Sequence, residues 1–135
     1  VEFFFTPGDD LATGYFNLEI NCGGTGLFEF HPDAATNIPM PRKVFDGIRI
    51  HAGLPTIIDP EITDPLTWHL TVALPVDILR PYGPVTRPRP GVTWRGNVYK
   101  CADKSSHPHW LTWAPVNFPR PRFHLPQWFG TLVFQ

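Results

Sequence analysis

The chain has no apolar run approaching the eighteen or so residues that a membrane span requires, so no spanning helix is expected. It also lacks any proline-free stretch of ten or more residues with helical spacing; the best candidate is a single turn at Val76 to Arg80. Cysteine is nearly absent. Cys22 and Cys101 could form one disulfide in an oxidising compartment, but the unforced reading is two buried thiols, and neither a zinc spacing nor a C-x-x-C redox pair occurs. No nucleophile elbow, serine-histidine-acid order or catalytic cysteine signature is present. The cluster Gly23 to Gly26 lacks the lysine and following helix of a phosphate-binding loop and reads as a turn. Glycoside hydrolysis needs two carboxylates across a cleft; Glu2 and Glu19 are the one pair that can be nominated, and catalysis is not expected.

What the sequence does hold is the content of one globular domain, residues 1 to 135. Seventeen prolines and eleven glycines exceed average usage, but with 14% aromatic residues they punctuate loops of a folded protein and do not signal disorder. The net charge of −1 hides an asymmetry: residues 1 to 67 carry ten acidic and three basic side chains, residues 68 to 135 two acidic and eight basic. The arginines are scattered through proline-broken loops, so no nucleic-acid surface is expected. Val1 to Phe5 is already strand-like, which suggests a processed or truncated chain, or one whose sheet partner lies elsewhere.

Period-two alternation is clearest in Tyr15 to Cys22, with Phe16, Leu18 and Ile20 opposite Tyr15, Asn17, Glu19 and Asn21. Further strands are expected at L-F-E-F after the glycine turn, Trp68 to Leu74 and Val92 to Cys101, with shorter runs at Val1 to Phe5, Ile48 to Ile50 and Phe129 to Phe134. About seven strands separated by proline-rich loops predict an all-β antiparallel sandwich. Three loops stand out, His31 to Gly47, Arg80 to Gly91 and Ala102 to Gln127; the last is long enough to suggest function.

That last loop carries Trp110 and Trp113 beside His-Pro-His, bounded by prolines that can hold aromatic rings at a surface. Such rings suit the C–H face of a sugar, and prior rigidity limits the entropy lost on binding. Trp68 and Trp94 fall on apolar strand faces and are expected in the core, and Trp128 is expected to be structural. Arg95, Asn97 and Tyr99 on one strand and Tyr15, Asn17, Glu19 and Asn21 on another offer either a solvated face or the polar floor of a groove. Glu2, opposite Phe3, could accept from a sugar hydroxyl. His107 and His109, with Asp103 and His124, are a weak zinc candidate against histidines bonded to neighbouring backbone. Asp9 and Asp10 offer calcium ligands or a solvated turn.

Six segments in order resemble the family 9 carbohydrate-binding modules, in particular stand-alone members from Bacteroidetes-type bacteria. They are V-E-F-F (1 to 4), Y-F-N-L-E-I-N-C-G-G-T (15 to 25), W-H-L-T-V-A-L-P (68 to 75), G-V-T-W-R-G-N-V-Y-K-C-A-D (91 to 103), S-H-P-H-W-L-T-W-A-P (106 to 115) and F-H-L-P-Q-W-F-G-T-L-V-F (123 to 134). The resemblance implies a jelly-roll-like β-sandwich without chemistry of its own. It would bind the terminal sugar of a polysaccharide, or an oligosaccharide, in support of extracellular glycan degradation. Secretion, or a periplasmic or cell-surface location, and a glycoside hydrolase partner are implied with it, as is structural calcium in some members. The alternative is an ancillary docking domain of a larger glycoside hydrolase or surface assembly. Glu2 matches the glutamate of V-E-x-F, Asn21 the asparagine ending the next strand, and Trp110 or Trp113 the later of two sugar-clamping tryptophans. The segment of some eighty residues that usually precedes V-E-x-F, with the first clamping tryptophan, is not in this sequence.

Overall fold

A computed structural model describes residues 1–135. Nine strands run in the order β1 (Glu2–Thr6), β2 (Tyr15–Ile20), β3 (Gly26–His31), β4 (Ile38–Pro39), β5 (Arg49–Ala52), β6 (Leu70–Ala73), β7 (Thr93–Ala102), β8 (His109–Thr112) and β9 (Gly130–Val133). The helical content is one turn, α1 (Arg42–Phe45), and three short 3-10 turns, one of them at Val76–Leu79 where the sequence allows its single turn. All pairings are antiparallel. A seven-stranded sheet has the order β4-β3-β2-β1-β7-β8, with β9 pairing the first part of β7 and β8 its last part, and a two-stranded sheet is made of β5 and β6. The fold is the expected all-β sandwich, with unequal sheets.

The first strand is central. β1 pairs with β2 on one side and β7 on the other, so Phe4 and Phe5 reach zero exposure on opposite faces. A strand buried on both faces reads as a continuous apolar run, which is what F-F-F supplies. On one face Phe5, Phe16, Leu18, Ile20, Phe28, Phe30 and Trp94 form the main core, closed by Phe45 of α1, Ile48 and Leu79. Phe5 stacks on Trp94 at 5.6 Å and on Phe16 at 5.4 Å. The opposite face holds a smaller aromatic cluster of Phe4, Tyr15, Tyr99 and Phe129 under the segment that carries Val116 and Phe123.

Two strands escape the sequence reading. β4 and β8 lie inside the segments expected to be loops, His31 to Gly47 and Ala102 to Gln127. Each is short and gains its pairing from a longer neighbour: β8 from the end of β7, with Cys101↔Trp110 and Tyr99↔Thr112, and β4 from β3. The glycine cluster is a turn, as expected; Gly24 there takes φ 88°, a conformation that costs glycine least.

Two buried-residue expectations are corrected. Trp94 lies in the core at 3% exposure, but Trp68 precedes β6 and is only half-buried, because the two-stranded sheet covers too little of the large one to enclose it. It lines an apolar groove of about 670 Å³ between the sheets, with Phe3, Leu18, Leu70, Val72 and Val98. Cys22 is half-buried and Cys101 exposed, both as free thiols, because Cys101 falls on the open end of its strand's polar face.

Candidate functional site

Register fixes which polar side chains meet. Glu2 of β1 is the Cα partner of Glu19 on β2 and of Tyr99 on β7, and Tyr99 is in turn the partner of Thr112 on β8. These residues share the face opposite the main core. At the end of that face, Cys101 pairs with Trp110, and Asn21 follows β2. The expected polar faces of two strands are thus one face of one sheet, with Glu2 between them.

Two hollows open on this face. The first, about 410 Å³, is lined by Glu2, Glu19, Asn21, Leu27, Cys101 and Asp103, among others, and contains no lysine, arginine or histidine side chain. The second, about 260 Å³, is walled by Trp110, Thr112, Phe118, Arg120, Arg122 and Phe123. The Arg122 guanidinium lies over the Phe118 ring at 5.5 Å. Trp110, 43% exposed, lines the second hollow and is the Cα partner of Cys101, which lines the first.

Electrostatics single out Glu2. Burial, then the negative charge of Glu19, pushes its carboxyl up to about 7, against a smaller opposing pull from the α-amino group of Val1. Glu2 accepts no hydrogen bond from protein, and Glu19 accepts one, from Asn17 Nδ2 at 2.8 Å. None of the four ion pairs in the molecule involves either residue. On the same face Asn17 Oδ1 and the Tyr99 hydroxyl are buried with no partner. Burial also pushes the Tyr99 hydroxyl up to about 12, so it stays a donor.

The other nominated residues are committed elsewhere. Asn97 is fully buried: its Nδ2 donates to Ala114 O at 3.0 Å, and its Oδ1 accepts from Ala114 N at 2.8 Å and Val98 N at 2.9 Å. Arg95 donates to the carbonyls of Phe129 and Gly130. Asn97 ties the long loop to β7 and Arg95 ties the start of β9 to it, because the chain after β8 folds back over the face that alternation leaves polar. Asn21 Oδ1 accepts from Gly23 N and Thr25 N and shapes the turn, leaving its amide nitrogen at the rim of the first hollow.

Trp110 and Trp113 do not converge. Alternation along β8 puts Trp110 and Thr112 on the Glu2 face, while Trp113, whose N–H donates to Val98 O at 2.8 Å, follows on the other side. Its ring lies against Gly130, where a Cβ would come within 2.7 Å of it. Trp113 is 56% exposed but faces away from both hollows.

The metal candidates do not assemble either. Both Asp9 oxygens accept from Thr93 Oγ1 at 2.8 Å, and Asp10 Oδ1 accepts from Ala12 N at 2.9 Å. The two carboxylates therefore build no shared cradle of the six to eight oxygens that calcium takes, and these residues do not fit that ion. His109 is bonded to the carbonyl of His107 and to Lys100, His107 to Ser106 Oγ, and His124 to the Tyr15 hydroxyl. No group of three or more histidine, cysteine, aspartate or glutamate side chains converges.

Glu19 carries the site more than the sequence suggests. Its signal was the shared polar period, which places a residue on a face but says nothing of which faces are left open. Arg120, Arg122 and Phe118 gave no signal beyond lying in a proline-dense stretch.

The model of carbohydrate-binding family 9 matches residues 1–134. A crystal structure of a candidate carbohydrate-binding protein from Bacteroides uniformis aligns with a TM-score of 0.82 and 33% identity over 99% of this chain. The chain spans 60% of that protein's length. No curated protein matches. A match over virtually the whole chain, on an antiparallel sandwich of the same shape, is decisive: the chain belongs to carbohydrate-binding family 9.

Proposed function

We propose that the two hollows on the Glu2 face bind sugar units of an oligo- or polysaccharide, without chemistry, in support of glycan degradation outside the cell. The observation that carries this reading is the half-exposed Trp110 ring on the same sheet face as Glu2 and Glu19, neither of which is in an ion pair. A sugar presents an apolar C–H face for such a ring and hydroxyls for acceptors at its edge, so one ligand answers both halves of the site. Glu2 and Glu19 accept hydroxyl protons, the free amide nitrogen of Asn21 donates, and Trp110 forms the platform. Glu2 and Glu19 lie side by side on one floor, whereas hydrolysis wants carboxylates flanking the scissile bond. This supports binding alone. A secreted, periplasmic or cell-surface location and a glycoside hydrolase partner fit the reading.

Titration with cello-, xylo- and manno-oligosaccharides, followed by tryptophan fluorescence, tests it. Quenching or a blue shift is expected with at least one series and is lost in Trp110→Ala; Trp113→Ala retains it. A folded protein whose emission ignores every sugar overturns the proposal. A second reading, a docking domain that binds no sugar, is favoured by the open apolar groove on the opposite face, and that silent titration is the outcome it expects.

A further inference from the structure

The small sheet ends on an open edge. β5 and β6 pair with each other and with no other strand. Gly53 N donates to His69 O at 2.8 Å, one step beyond the partners Ala52↔Leu70, so the hydrogen-bonded pairs are Gly53 with His69, His51 with Thr71 and Arg49 with Ala73. Alternation then turns the N–H and C=O groups of Leu70 and Val72 away from β5, to a side where no strand pairs with them. Sheets blunt such edges with charge or proline. β4 carries Pro39 and β5 carries Arg49, whereas β6, L-T-V-A, has neither.

The apolar groove lies along that same edge. Leu70, Val72 and Leu74 line it and no residue of β5 does, while Phe3 of β1 and Val98 of β7 form its floor on the large sheet. Past Phe3 and Leu74, which line both, it continues into a second apolar hollow of about 320 Å³ against Trp94, Leu132 and Val133. A strand in a sandwich takes roughly 3.3 Å of length, 4.8 Å of sheet width and 10 Å of layer spacing per residue, or about 160 Å³. The groove of about 670 Å³ therefore has room for one strand of about four residues, the length of β6, and the second hollow for about two more. No carboxylate lines either space. The charged groups present are Lys100 and the α-amino group of Val1, both cationic and both at the end of the groove where β1 and β7 pair beyond Glu2 and Tyr99.

We propose that the free edge of β6 receives an extended segment of a second polypeptide, about six residues long, as a third strand of the small sheet. Its backbone pairs with Leu70 and Val72, its apolar side chains at alternate positions enter the groove over Phe3 and Val98, and it brings no positive charge to the Lys100 end. An apolar ligand without a backbone of its own would cover the N–H and C=O groups of Leu70 and Val72 and leave them unpaired, which is costly. A folded face is too thick for a space one strand wide. The edge is apart from the Glu2 face, and its use does not depend on sugar binding.

The probe is an acetylated, amidated heptapeptide, T-V-E-V-T-V-T, titrated by calorimetry and by amide hydrogen exchange. Saturable binding is expected, with slowed exchange at Leu70 and Val72 and little change at Thr71 and Ala73, whose N–H groups already face β5. N-methylation of the third and fourth residues of the peptide is expected to weaken binding at least about tenfold, because it removes ladder bonds and adds apolar surface. Val72→Pro, which removes one outward N–H and keeps an apolar side chain, is expected to weaken binding by a similar factor. Val98→Lys on the groove floor is the second variant should the first fail to fold by circular dichroism. No binding, binding indifferent to N-methylation, or binding that survives both substitutions overturns the proposal. So does dimerisation of the chain alone in sedimentation equilibrium that Val72→Pro abolishes, since the occupant is then a second copy.

Discussion

The Glu2 carboxyl, pushed up to about 7 by burial and by Glu19, changes charge near neutrality, where an ordinary glutamate has long been ionised. Between its usual 4.5 and about 7 the folded state holds a proton that the unfolded chain has lost, so stability falls as pH rises through that window. Melting temperature against pH is expected to show this decline, and Glu2→Gln to flatten it. His124 is the counterpart across the same face: burial, then the charge of His31, lowers it, so it stays neutral while bonded to the Tyr15 hydroxyl at 2.9 Å.

Among the elements, β1 and β7 decide whether the site exists. β1 is the hydrophobic axis of the large sheet, and Phe5→Ala, which removes a fully buried ring stacked on Phe16 and Trp94, is expected to cost about 3–5 kcal/mol in urea denaturation. β7 holds the return of the long loop through Asn97, whose side chain makes two bonds to Ala114. Asn97→Ala leaves buried backbone groups unpaired and is expected to cost about 1–3 kcal/mol, with faster amide exchange at Ala114 as the local signature. Alternation made β1, β2 and β7 legible in the chain. It did not reveal β8, because H-W-L-T is too short to show a period and becomes a strand only by pairing with the end of β7. Arg95 and Asn97 were placed on the correct face for the same reason, but the loop that claims their hydrogen bonds is set by tertiary packing.

Taken whole, the molecule presents two unlike surfaces on the two faces of one sheet: the acidic and aromatic hollows, and an apolar groove beside the small sheet. An apolar fluorescent dye is expected to brighten on the folded protein through that groove. Val98→Lys, at a residue 36% exposed there, is expected to lower the enhancement at least about twofold and leave sugar affinity unchanged, since it points away from Glu2. The sequence by itself determined the fold class, the central strands and the turn at Gly24, because side-chain alternation and glycine backbone freedom are local properties written residue by residue. The tertiary structure alone decided that Glu2 and Glu19 stand side by side, that Asn97 and Arg95 are engaged by backbone groups, and that Trp110 lines the second hollow while Trp113 turns to Gly130. Those outcomes depend on strand register and on what covers each face, and neither is fixed until the chain has paired with itself.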